Sequence, residues 1–308
     1  MTLKVILSGV EGFFILFIKM HFKKFLNCSG RLLDLSTPKV MGILNITDDS
    51  FYDGGQYTDK RKMLLHAEEM IKQGAAIIDI GGQSTRPGST RIDAKTETER
   101  VIPVLKNLKK NFPEAIFSVD TYHAAVAEAA INEGASIIND ISGGTLDEKM
   151  FEVIARYNVP YILMHMQGTP ETMQKSPSYK NITEEVMNYF SEKISALRSL
   201  GINDIILDPG FGFGKTLEHN YTLLSNLELF RMFELPILCG LSRKSMVGKL
   251  LNVSAAGSLN GTTALNTIAL MKGANILRVH DVKEAVEVIK VVTSLHTSSP
   301  NSELPTTN

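Results

Sequence analysis

Eight short apolar runs, each bounded by turn signals and spaced at helix-plus-strand intervals, constrain the fold most tightly. They occupy residues 40–45, 76–81, 116–120, 136–140, 161–165, 204–208, 236–240 and 276–280. Most lack the polar alternation of a half-exposed strand, as expected of strands covered on both faces. Amphipathic segments long enough for helices lie between most of them, such as 60–73, 124–132, 182–200 and 259–272. Gly74, Gly134, Gly201 and Gly273 stand where these helices should end, since glycine enters the left-handed conformation at little cost. Eight alternating units predict an α/β fold, a single (β/α)8 TIM barrel, over the competing open doubly wound sheet. In such a barrel the active site sits at the C-terminal ends of the strands.

The residues that finish the runs are therefore the ones to read. They are Asn45, Asp79, Asp120, Asn139, Met164 with His165, Asp208, Ser242 to Ser245, and Arg278 with His280. Asp120, Asp208 and Asn139 could together bind the donor–acceptor edge of a planar heterocycle and favour positive charge developing on it. The plainer alternative for Asp120 is a cap on the following helix. After Asp208 comes Pro209-Gly210-Phe211-Gly212-Phe213-Gly214-Lys215, a flexible loop offering backbone, an aromatic face and a lysine. Ser84-Thr85-Arg86-Pro87-Gly88 reads either as a lid whose arginine fork suits phosphate or as a plain surface loop. Arg243 and Lys244 after the seventh strand, with Arg278 and His280 at the eighth, fall where barrels commonly hold phosphate. A solvated cationic rim is the alternative. Alternation puts Arg278 and His280 on one face, with Val279 pointing away. Asn45, followed by Asp48, Asp49 and Ser50, could lend an amide oxygen to Mg²⁺ shared with phosphate and water, or simply hydrogen-bond its loop.

Other classes are excluded. A net charge of −1 gives no general affinity for nucleic acid or anionic membrane. The cysteines, Cys28 and Cys239, fit no metal spacing and suit a reducing cytosol. The seven histidines show no zinc spacing, and His165 reads as a packed or hydrogen-bonded histidine. Pro209 to Thr216 fails as a Walker A loop, which needs glycine at the position of Pro209. With 308 residues and 44% apolar content, the chain can bury one large core. Residues 1–22 include the apolar run Phe13-Phe14-Ile15-Leu16-Phe17-Ile18, too short for a membrane span and lacking a cleavage pattern after it. They are expected to form an extension outside the barrel, with Met20 a possible start. The barrel is expected over 23–293, and 294–308 as a flexible tail.

Taken in order, Met41-Gly42-Ile43-Leu44-Asn45-Ile46-Thr47, Asp49-Ser50-Phe51, Ser84 to Gly88, Ser118-Val119-Asp120-Thr121 and Ile138-Asn139-Asp140 resemble signature segments of the dihydropteroate synthases. So do Met164-His165-Met166, Asp208 to Lys215, Ser242 to Ser245 and Arg278 to Asp281. The resemblance runs from about residue 25 to 292. It implies a TIM-barrel enzyme of folate synthesis, cytoplasmic and homodimeric, which joins 4-aminobenzoate to 7,8-dihydropterin-6-ylmethyl diphosphate, releases pyrophosphate and uses Mg²⁺. By that resemblance Asp120, Asn139, Asp208 and Lys244 bind the pterin, with Met164 as an apolar wall. Arg278 and His280 hold the diphosphate, and Asn45 contacts its Mg²⁺. Thr85 and Arg86 belong to a closing loop, while Phe213, Pro87 and Ser245 frame the aminobenzoate, where sulfonamides compete.

The resemblance implies a dissociative reaction in which Asp120, Lys244 and Arg86 carry the catalytic work, without a covalent enzyme intermediate. This chain departs from the family at Asp48, where proline is usual, and at Gln83, where glutamate is common. Two other readings share the pocket: a corrinoid-type methyltransferase domain, and a catalytically silent pterin-binding paralogue. The Ser-Thr-Arg-Pro-Gly and Ser-Arg-Lys-Ser segments speak against the first, because methyl transfer has no diphosphate to clamp. Pterin binding without turnover would mark the second.

Overall fold

The structure, a computed structural model, describes residues 2–9, 12–19, 23–46, 56–83 and 91–297. All eight expected strands form, as β5 (Lys39–Asn45), β6 (Ile77–Gly81), β7 (Ile116–Asp120), β8 (Ile137–Asp140), β9 (Tyr161–Met164), β10 (Ile205–Asp208), β11 (Leu238–Cys239) and β12 (Ile276–Val279). They pair in parallel in the order β10-β9-β8-β7-β6-β5-β12-β11. A parallel bridge between Leu207 and Ile237 joins the last strand to the first and closes the ring. The run at 236–240 shrinks to two strand residues for a local reason. Pro236 has no N–H to give the ladder, and the N–H of Ile237 goes to the Asn275 side-chain oxygen at 2.9 Å.

Nine helices are present among the described residues: α1 (Gln56–Gln73), α2 (Ala94–Asn111), α3 (Ala124–Asn132), α4 (Met150–Tyr157), α5 (Ile182–Ser199), α6 (Leu217–Ser225), α7 (Ser245–Leu251), α8 (Leu259–Met271) and α9 (Val282–Thr297). α1 begins four residues ahead of the expected 60–73. Gly74, Gly134, Gly201 and Gly273 all have positive φ, between 80° and 103°, and end α1, α3, α5 and α8 as expected. Gly42 is needed for a different reason. A Cβ there would stand 2.6 Å from the sulfur of Met70 on α1 and 3.2 Å from Val282 Cγ2, so both side chains would have to shift.

Strand alternation sorts the side chains into two sets. Val40, Leu44, Ile78, Ile80, Phe117, Val119, Ile138, Leu163, Leu207, Leu277 and Val279 face the helices in the large outer core. The opposite set fills the barrel in layers. Its lowest layer is Met41, Ile77, Ile137, Ile162, Ile206, Leu238 and Ile276, all buried, with Ile116 packed against it. Two residues along each strand the interior turns polar, with Asp79, Ser118, Asn139, Asp208 and Arg278. Asp120, Asn45 and His280 come two residues later again, at the mouth.

The floor is sealed by a hairpin that the eight-run pattern did not include, β3 (Phe25–Cys28) and β4 (Arg31–Asp34). Its turn residues Ser29 and Gly30 have φ of 55° and 87°, and Gly30 N–H donates to Asn27 Oδ1 at 2.8 Å. Leu26, Cys28, Leu33 and Leu35 then face the lowest barrel layer and are buried with it. Asp204 anchors the hairpin, pairing with the Lys23 ammonium and accepting the Asn27 N–H at 3.0 Å. Ahead of it, β1 (Thr2–Gly9) and β2 (Gly12–Lys19) form a separate two-stranded antiparallel sheet. Leu26 is fully buried in the floor, so Leu26→Ala should cost about 2–5 kcal/mol of stability in denaturant unfolding while leaving ligand affinity at the mouth unchanged.

Candidate active site

The polar layer converges on one guanidinium. Arg278 on β12 donates through Nε to Asp79 Oδ2 at 2.7 Å and through Nη2 to Asp120 Oδ2 at 2.7 Å. Asn139 on β8 adds Nδ2–H to Asp79 Oδ2 at 3.0 Å. Four strands are thereby cross-linked above the apolar floor. Burial pushes the Asp120 carboxyl up to about 7 against the opposing pull of Arg278, with Asp79 adding to the rise. Asp120 does not cap the next helix. α3 starts at Ala124 after His123, and its first N–H is taken by Asp147 Oδ2 at 2.8 Å.

Asp208, at the end of β10, is buried, and that burial raises its carboxyl above the ordinary range. Lys244 and Arg278 oppose the rise, and Gly210 N–H donates to Asp208 Oδ1 at 2.8 Å. Lys244 reaches back over the same loop. Its ammonium bonds the Phe211 carbonyl and stands 4.7 Å from the centroid of the Phe213 ring. Burial lowers that ammonium to about 8, with Asp208 acting the other way. Gly240 lies close to both cations: a Cβ there would be in ordinary contact with Lys244 Nζ at 3.6 Å and Arg278 Cβ at 3.9 Å. Met164, Tyr122 and Ile141 form a small buried apolar cluster with Met166, Leu146 and Phe213 against it. This wall beside the polar layer suits a flat heterocycle with hydrogen-bonding edges.

Lys215, the obvious cation of the glycine-rich loop, does not face the mouth. It is 3% exposed, and its ammonium donates to the carbonyls of Gly210 and Phe213, both at 2.9 Å, and to His165 Nδ1 at 3.0 Å. Burial, with Lys215 beside it, drives His165 far below its usual value, so the neutral ring accepts that proton. Lys215 and His165 therefore hold the β10 loop against β9.

The rim after β11 and β12 is clasped twice. Ser242 Oγ lies 3.1 Å from His280 Nδ1, and Arg243 forms a two-pronged pair with Asp281 at 2.9 and 2.6 Å. Arg243 sits at φ 55°, and the pair holds it there. Ser245 is exposed at the start of α7. Asn45 is exposed at the end of β5, and a Cβ on Gly81 would stand 3.3 Å from its Oδ1, so glycine keeps that amide oxygen open. Thr85, Arg86, Pro87 and Asp48 lie outside the described residues. Gln83 at the edge of that segment accepts from Tyr122 OH at 3.1 Å and Ile92 N–H at 3.3 Å.

Asp79 is central here although the chain-end reading assigned it no ligand role. The available signal was its parity with Gly81, which points it into the barrel. Glu97 on α2 was missed altogether. It is fully buried behind Gly82, accepts from Thr121 Oγ1 at 2.7 Å, and burial pushes it up to about 7. A carboxyl whose folded value exceeds its unfolded one favours folding below the unfolded value and loses that contribution as pH rises through the folded value. Thermal unfolding of wild type and Glu97→Gln should therefore show the variant gaining on the wild type between pH 4.5 and about 7.

The pattern of pterin binding enzymes matches residues 41–280. A dihydropteroate synthase of Escherichia coli is 48% identical over 275 residues, covering 88% of this chain and 96% of that protein. One from Clostridium beijerinckii is 46% identical over 255 residues, covering 82% and 92%. The Yersinia pestis dihydropteroate synthase, solved with a sulfonamide drug, superposes with a TM-score of 0.83 at 46% identity, covering 89% of this chain and all of that one. The Xanthomonas albilineans dihydropteroate synthase, solved with 4-aminobenzoic acid, gives 0.82 at 37%, covering 90% and 99%. The chain belongs to the dihydropteroate synthase family of pterin-binding enzymes.

Proposed function

We propose that this protein condenses 7,8-dihydropterin-6-ylmethyl diphosphate with 4-aminobenzoate, giving 7,8-dihydropteroate and pyrophosphate in folate synthesis. One observation supports this above the others: buried Asp120, Asn139 and Asp208 converge with the partly exposed Lys244 and Arg278 beside the Met164 wall. The carboxylates of Asp120 and Asp208 and the amide of Asn139 suit the amino and ring N–H groups of a pterin. Lys244 suits its carbonyl oxygen. Asp120 favours positive charge on the pterin methylene as the carbon–oxygen bond to the diphosphate breaks. His280 at the mouth and Arg278 one inward step below it suit the departing diphosphate, and Thr85 and Arg86, outside the described residues, are assigned to it by the family resemblance. The 4-aminobenzoate amine attacks the methylene while Phe213, Pro87 and Ser245 frame its ring. Sulfonamides are expected to compete at that position.

Among the described residues no group of three or more His, Cys, Asp or Glu side chains is placed to hold a metal. Mg²⁺ keeps waters and takes few protein ligands. Asn45, its oxygen left open by Gly81, would hold the ion together with substrate phosphate oxygens. When bound, the ion offsets negative charge on the leaving diphosphate.

The catalytic unit begins at 23, with 1–22 outside it, and α9 carries it past the expected boundary at 293 to Thr297. A cytoplasmic location is part of the same reading. No helix among the described residues is long and apolar enough to cross a membrane. A homodimer is part of the same reading. Exposed Leu250, Leu251 and Val253 at the end of α7, with Ile268 and Met271 on α8, offer an apolar face for it. Sedimentation should then give twice the 33.9 kDa chain mass, and a monomer at micromolar concentration would reject the dimer.

Purified protein with both substrates and Mg²⁺ should release pyrophosphate and form dihydropteroate. No product where a control synthase works would reject the reading. Asp208→Asn and Lys244→Ala each remove one of two mutually attracting charges that are proposed to meet the pterin, so calorimetry should show pterin affinity falling by roughly 30-fold or more. Unchanged affinity would remove those two residues from the site.

A further inference from the structure

Asp79 touches more of the site than any role given to it explains. It lies on β6 one inward step below Gly81 and is fully buried. Its Oδ2 accepts from both Arg278 Nε and Asn139 Nδ2, at 2.7 and 3.0 Å. Its Oδ1 has no partner among the described residues, nor does the Oγ of Ser118, its register neighbour on β7. A buried carboxylate with an orphaned oxygen is costly. Asparagine would fill the same volume without the charge. Charge count suggests what that charge does. Asp79 and Asp120 share one guanidinium, so with both carboxyls ionised the triad carries a net negative charge. Asp120 is the member nearer the mouth.

We propose that Asp79 is a positioning residue for the transfer reaction. It holds the Arg278 guanidinium by Nε throughout the cycle, so that Asp120 meets the pterin with its charge only partly neutralised. This rests on the synthase reading above. Without the Asp79 charge, Asp120 would face the guanidinium alone, and the triad would become neutral where positive charge must develop. Phe213 and Ser245, proposed to frame the 4-aminobenzoate, follow β10 and β11 rather than β6.

The test compares Asp79→Asn with wild type by pyrophosphate release, with both substrates and Mg²⁺ present. A silent wild type would reject the synthase reading itself. With an active wild type, the variant should lose at least about tenfold in kcat while its KM for 4-aminobenzoate stays within about twofold. An unchanged kcat, or a rise in both KM values at unchanged kcat, would overturn the inference. Should the variant fail to fold, nitrogen-15 NMR of arginine-labelled wild type answers the same question. The Arg278 Nε–H should stay protected from solvent exchange both free and with 6-hydroxymethyl-7,8-dihydropterin bound. Loss of that protection on loading would overturn it.

Discussion

The guanidinium of Arg278, held at 2.7 Å from carboxylates on two other strands, is the contact around which the rest of the site is arranged. Without these pairings the polar layer would place several charges above an apolar floor with no water to solvate them. With them, β6, β7, β8 and β12 are tied together through Asp79, Asp120, Asn139 and Arg278. The floor matters to this. Met41, Ile77, Ile162 and Ile206, sealed from below by Leu26 and Leu33, exclude water from beneath and keep the layer's electrostatics strong.

Charge is also used to build the loops. Lys215 spends its ammonium on two carbonyls of its own loop and on His165. That fixes the backbone bearing Phe213. Lys244, on the loop after β11, then meets Phe211 and Phe213 from the other side. Arg243 is diverted to Asp281. Of three neighbouring cations, one stabilises a turn, one clasps a rim, and one is left beside Asp208 and Phe213, where the pterin is proposed to bind. Burial lowers the Lys244 ammonium to about 8, and Asp208 acts to keep it charged.

Much of this was legible in the sequence, because strands covered on both faces must be short apolar runs and a barrel gathers their ends. Asp120, Asn139, Asp208 and Arg278 could be named on that ground alone. Depth was not legible. Residue type does not separate Lys215 from Lys244; the family resemblance favoured Lys244, and packing gives the reason, with Lys215 only 3% exposed and turned into its own loop. Asp79 was named among the strand-end residues but given no role, because nothing in the sequence shows that it shares the Arg278 guanidinium with Asp120. The floor hairpin went unread because its strands are four residues each, although Leu26, Cys28 and Leu33 alternate around a Ser29-Gly30 turn. β11 came out shorter than its apolar run because Pro236 cannot donate to the ladder.

The central claim is that the inward-facing polar layer, rather than the outer rim, recognises the heterocycle. A crystal structure with bound 7,8-dihydropterin-6-ylmethyl diphosphate tests it most directly. The account predicts the pterin edge within hydrogen-bonding distance of Asp120, Asn139 and Asp208, with Arg278 Nε still on Asp79. A pterin bound outside the barrel mouth, with those side chains unengaged, would contradict it.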